Sequence, residues 1–149
     1  MAKKSLCFFI LVTLITTISC SSNNPTTAHT VLTQHGFPVG LLPTDVKSYD
    51  LNTTSGKFTV HLTNPCRLIL PPDNYLATYS KKITGKIVEN KIGEINGIKV
   101  RAFYQWWGIT GIKISGDDLV FEVGMVTAKY PSKNFADTPQ CEGQKHSSS

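Results

Sequence analysis

The sequence predicts a mainly β domain, either a barrel or a sheet folded on itself, with one short helix ahead of it. Three observations point there. From Phe58 onward apolar residues recur at alternate positions, turn-forming Gly, Asn and Asp interrupt them at short intervals, and a helical period occurs only near the start of the chain.

Residues 1–22 have the order of a signal peptide. Lys3 and Lys4 precede an apolar run from Leu6 to Ile18, too short for a membrane span, and small polar residues from Ser19 to Ser22 follow it. Cleavage is expected near Cys20 to Ser22. The rival is a lipoprotein acylated at Cys20, against which Thr17 occupies a place normally held by an aliphatic residue. The remaining chain is expected to be secreted to the extracellular space or cell wall, or held in the endomembrane system. Loss of Lys3 and Lys4 takes the formal net charge from +5 to +3, because all ten acidic residues lie beyond the leader. About 125 residues then remain, enough for one domain with its own core. That domain is expected over residues 23–141, as a monomer, with a disordered polar tail over residues 142–149.

The first element is the helix. Asn24 and Pro25 suit an N-cap and first helical position, Ala28, Val31 and Leu32 fall on one face, and Gly36 terminates it. Phe37 to Pro43 mixes prolines and glycine with large apolar residues, as a packed irregular connection does. Phe58, Val60 and Leu62 then alternate with Thr59 and His61, the pattern of a strand with one buried face. Two strands, Ile83 to Val88 and Lys91 to Ile95, flank a turn at Glu89-Asn90, and Asn96-Gly97 is a hairpin signal. Ile98 to Trp107 reads as one long strand. It puts Ile98, Val100, Ala102, Tyr104 and Trp106 on one face and Lys99, Arg101, Phe103, Gln105 and Trp107 on the other. Ile112 and Ile114 lead through Ser115 to Asp118 into a final alternation of Leu119, Phe121, Val123 and Met125.

Cys7 and Cys20 belong to the leader region, which leaves Cys66 and Cys141 as a pair. In an oxidising compartment they are expected to form one disulfide, the alternative being two free buried thiols. The bond would close a loop of about 76 residues, worth about 4.5 kcal/mol in the chain-entropy model. The same compartment makes Asn52-Thr53-Thr54 a glycosylation sequon and places Asn52 on an exposed turn, whereas Pro25 disqualifies Asn24.

Specific chemistries are missing. There is no Gly-x-Ser-x-Gly elbow, no Cys-x-x-Cys and no calcium-loop spacing around Asp117 and Asp118. His29 and His35 are six apart and do not stack on a helix face, and His61 sits on the polar side of its strand. No catalytic residue, metal or other cofactor is therefore expected, and a secreted chain of +3 does not suit nucleic acid. The ligand-binding candidates are Tyr104, Trp106 and Trp107 with Lys99 and Arg101. One tryptophan can be core; the other favours a pocket mouth or a membrane interface, the alternative being that Phe103 and Trp107 lie beneath a covering helix or loop. Lys81, Lys82, Lys86, Lys91, Lys99, Arg101 and Lys113 are close enough in sequence to gather on one side of the sheet. Such a face would attract lipid headgroups of an anionic membrane or acidic cell-wall polysaccharide.

The run His35-Gly36-Phe37-Pro38-Val39-Gly40-Leu41-Leu42-Pro43 resembles the opening signature of a plant family catalogued as domain of unknown function 538. Gly56-Lys57-Phe58, Cys66, Tyr79, Ile83 to Ile87, Trp106, Val123-Gly124, Tyr130-Pro131, Phe135 and Pro139 to Cys141 agree in order, with small departures at Thr84 and Tyr130. The resemblance spans about His29 to Cys141. It implies a mixed sheet buckled into a pseudobarrel, similar in shape to one half of the bactericidal permeability-increasing and lipid-transfer proteins. For activity it implies lipid binding or weak ester hydrolysis, and with the catalytic motifs missing a non-enzymatic binder of lipid or another amphipathic ligand is expected first. The alternatives are a weak carboxylic-ester hydrolase, acting on chlorophyll or lipid esters, and a cell-wall or defence interaction protein.

Overall fold

The computed structural model describes residues 27–142. The expected leader over residues 1–22, the Asn24-Pro25 helix start and the tail beyond Glu142 lie outside those residues. The helix that is described, α1 (Ala28–Gln34), is capped by Thr27, whose Oγ1 accepts from the Thr30 amide. It buries Ala28, Val31 and Leu32, the face its period predicts. Gly36, at φ 86, ends it: the Phe37 amide donates to Leu32 O and the Gly36 amide to Thr33 O, a Schellman closure that needs a left-handed residue there. Phe37 to Pro43 then packs inward around a single 3₁₀ turn, Val39–Leu41.

Eight strands follow: β1 (Val46–Leu51), β2 (Lys57–Leu62), β3 (Cys66–Leu70), β4 (Tyr75–Val88), β5 (Lys91–Ala102), β6 (Gln105–Ser115), β7 (Asp118–Val123) and β8 (Val126–Pro131). They form one sheet in the order β1-β2-β4-β5-β6-β7-β8. β2 and β3 lie end to end against the long β4, pairing with its C-terminal and N-terminal halves. The domain is mainly β, with one short helix and a disulfide, as expected. Every strand pair is antiparallel, however, so the sheet is not mixed, and β1, β3 and β8 each pair on one side only, so it does not close.

Asn96-Gly97 makes no hairpin. The register slips there: Ser80 to Ile83 of β4 stand opposite Gly97 alone, so the extra residues bulge from β4, and Gly97 faces them at φ 112. A Cβ at Gly97 would lie 2.7 Å from Lys82 O, so only glycine permits this approach. The glycine of the Asn-Gly pair thus serves a left-handed backbone and a close strand approach, not a turn. The expected turn at Glu89-Asn90 is present, with Asn90 at φ 66 between paired Val88 and Lys91.

One face of the sheet is the core. Val60, Leu62, Ile83, Ile87, Ile92, Ile95, Ile98 and Ile112 lie under α1 and the Phe37 to Leu42 segment. The chain's end crosses the same face: the 3₁₀ turn Ser132–Phe135 buries Phe135 against Phe121, with ring centroids 5.4 Å apart. Cys141 is bonded to Cys66 at the start of β3, with Cα atoms 5.2 Å apart.

Candidate ligand-binding cleft

α1 and the Phe37 loop cover only part of the inner face. Beyond Phe135 lies an uncovered cleft of about 470 Å³, walled by Val100, Trp107, Ile109, Phe121, Val123 and Ala128. Leu70, Pro71 and Tyr75 close one side of it, and Phe103, Met125 and Val126 stand at its mouth. No Ser, Cys, His, Asp, Glu, Lys or Arg lines it. A slot of this size and dryness suits a hydrocarbon chain, not a charged substrate.

The cleft exists because the chain turns where the sequence reads as one strand. Ile98 to Trp107 is interrupted by a two-residue hairpin: Ala102 pairs with Gln105, and Phe103 and Tyr104 both adopt left-handed φ, 52 and 65. That is the backbone of a type I′ turn, which Asn-Gly normally fills, and an ordinary residue held there costs about 1–2 kcal/mol. A two-residue turn also reverses which alternate positions face inward. Trp107 thus pairs with buried Val100 and Trp106 with exposed Arg101.

The five proposed ligand residues therefore separate. Trp107 alone enters the cleft, its Nε1 donating to Ala102 O at 3.0 Å. Trp106, Arg101 and Lys99 are on the outer face, where the Arg101 guanidinium lies 5.6 Å from the Trp106 ring centre. Tyr104 stands free at the tip. The expectation that Lys99, Arg101 and Trp107 share one face is overturned by this parity change. Residues that sequence reasoning placed elsewhere complete the mouth: Met125, expected to face inward on a strand, occupies the β7-β8 turn with Gly124. The Trp107 ring packs on that turn, 3.1 Å from where a Gly124 Cβ would be.

Two tyrosines, Tyr75 and Tyr130, are part of the cleft lining. Tyr130 Oη donates to Asp73 Oδ2 at 2.9 Å, tying β8 to the β3-β4 hairpin. Burial, with the hydrogen bond and charge of Asp73, pushes its phenol up to about 12. Tyr79 is sealed in the core, where its Oη donates to Leu41 O at 2.9 Å and burial raises its phenol too. Among the described residues two histidines serve backbone, His29 Nε2 donating to Pro43 O and His35 Nδ1 to Val31 O, while half-buried His61 lies 3.9 Å from Asp50.

On the outer face the basic residues divide: Lys91 pairs with Lys113 near the Glu89-Asn90 turn and Lys86 lies opposite Gly93, whereas Lys99 and Arg101 lie toward the other end of β5, with Lys81 and Lys82 exposed at the bend. Glu122 lies between Lys91 and Lys113, at 3.7 and 3.8 Å, and offsets part of that charge. Asn52 is exposed on the β1-β2 turn, its Oδ1 accepting from the Thr54 and Ser55 amides.

Comparison with known proteins adds kinship. An uncharacterized Arabidopsis thaliana protein, At5g01610, is 24% identical over 95 residues, 64% of this chain and 55% of that protein. The chain thus spans about half the length of that relative. A family profile matches residues 28–136, which contain the whole sheet and every residue lining the cleft. The chain belongs to the family described as "Protein of unknown function, DUF538".

Proposed function

We propose that this protein is a secreted, non-enzymatic binder of a lipid or similar amphipathic molecule, whose apolar chain lies in the cleft. The observation that carries this is the lining: about 470 Å³ of open space walled by hydrocarbon and aromatic side chains. Nucleophilic ester cleavage needs an activated nucleophile and a base, and the cleft wall offers neither.

Trp106→Phe leaves Trp107 as the one tryptophan, since the chain has two. In that background a fatty acid or lysolipid is expected to shift Trp107 emission to the blue. Ala128→Phe, filling the cleft from β8, is expected to cut affinity about tenfold or more without unfolding the protein, because the space that buries the ligand is gone. No emission change with any acyl ligand would refute the proposal.

Secretion is supported by the order of residues 1–22 and fits the Cys66–Cys141 bond. On that reading Asn52 carries a glycan. Protein from a plant secretory host is expected to gain gel mobility on glycosidase treatment, and Asn52→Gln to run at the faster position untreated. Equal migration of parent and variant before treatment would show Asn52 to be bare.

A further inference from the structure

We infer that the end of the sheet bearing the cleft mouth docks on an anionic lipid bilayer through two hairpin tips, Phe103-Tyr104 and Gly124-Met125. Exposure is the first reason. Phe103 is 81% exposed, Tyr104 93%, Met125 101% and Val126 64%, and Trp106 is 40% exposed on the adjoining shoulder. Large apolar side chains are thus concentrated at one end, where the tip between β5 and β6 stands beside that between β7 and β8. The opposite end carries polar turns at Asn52 to Ser55, Glu89-Asn90 and Gly116-Asp117, with Val88 its one exposed large apolar side chain among the described residues.

Backbone strain is the second reason. Phe103 and Tyr104 hold left-handed φ at a two-residue turn, and their rings bury almost nothing in return. Neither turn formation nor core packing accounts for two aromatics there. Rings with a dry body and a polar edge gain free energy at a headgroup boundary, and a flexible methionine gains it in the acyl region beneath.

Charge identifies the kind of bilayer. Arg101 sits over Trp106 directly behind the first tip, and Lys99 and Arg67 lie in one cross-strand row on the same outer face, joined through Thr78. Asp73 at the β3-β4 tip, whose carboxylate accepts from Tyr130, opposes one of these three charges. The shoulder of the apolar end is therefore cationic, complementary to anionic headgroups. Docking of this kind needs no ligand in the cleft, so it stands apart from the binding function. It would nevertheless bring the cleft mouth, marked by Phe103, Met125 and Val126, against the acyl boundary.

The test uses Phe103→Asn with Tyr104→Gly, which supplies the residues a type I′ turn prefers. The full mature chain is expected to co-sediment with vesicles of phosphatidylcholine containing phosphatidylglycerol, more weakly with phosphatidylcholine alone, and less as salt rises. The double variant should lose about tenfold or more in vesicle affinity while melting no lower than the parent. Tyr104→Ser with Met125→Ser, which leaves the turn backbone alone, should reproduce the loss. Ala128→Phe should keep vesicle binding while losing the cleft ligand, which separates failure of docking from failure of cleft binding. The inference is overturned if folded parent ignores anionic vesicles, if the tip variants bind them as tightly as the parent, or if the tips instead hold two copies together in sedimentation and vesicles do not compete.

Discussion

Reducing the Cys66–Cys141 bond is expected to lower the melting temperature by on the order of 15 °C. The bond joins the start of β3 to the last described segment, across 75 residues of sequence. A cross-link of that span removes about 4.5 kcal/mol of denatured-state entropy in the chain-entropy model, and measured losses of native bonds run about 2–5 kcal/mol. For a domain of this size each kcal/mol is worth about 4 °C. Few contacts replace it: Glu142 donates its amide to Arg67 O at 2.8 Å and Thr44 its amide to Pro139 O at 2.9 Å. Calorimetry with and without a phosphine reductant, alongside the Cys66→Ala, Cys141→Ala double variant, measures the loss. A drop below about 5 °C would mean that packing of Phe135 alone retains the C-terminal segment.

Gly40→Ala is expected to destabilise the domain by about 3 kcal/mol, more than Gly36→Ala despite the left-handed backbone at Gly36. A Cβ at Gly40 would stand 2.3 Å from Phe135 O and 2.6 Å from Asp137 O. Both are backbone atoms, so relief requires the C-terminal segment to move off the Val39–Leu41 turn. At Gly36 the nearest atom is the flexible Ile114 Cδ1 at 3.2 Å, and the expected cost is the left-handed penalty of about 1–2 kcal/mol. Urea unfolding of the two variants orders them. Gly40→Ala within about 1 kcal/mol of the parent would show the crossing to be looser than described. The pair also gives a physical reason for two glycines of the His35 to Pro43 run: one ends α1, the other lets the C-terminal segment across.

Core elements were legible where burial follows a simple period. The α1 face, the Phe58-Val60-Leu62 alternation and the Cys66–Cys141 pair could all be read directly. β1, β3 and β8 were not, because edge positions and short length blur the alternation. Even the start of β4 at Tyr75 is hidden, since that half of the strand faces β3 and not β2. The cleft was missed for a specific reason. Phe103 and Tyr104 have strong β propensity, and nothing in their chemistry announces a turn. The available signal was a change of phase: buried positions are even at Ile98 and Val100 and odd at Ile109, and a two-residue hairpin makes that switch. Asn96-Gly97 erred the other way, since its left-handed preference was spent on a bend.

The strand order also bears on how the chain assembles. From β4 to β8 every strand pairs with the one just before it, so each can add to a partner already synthesised, and the loop to be closed is a turn of two residues at Glu89-Asn90, Phe103-Tyr104, Gly116-Asp117 and Gly124-Met125. Closure entropy is small for such turns, and topologies rich in them have low barriers for β proteins. Cys141 follows all eight strands. During synthesis the sulfur bridge can therefore form only after every strand it fastens has been made.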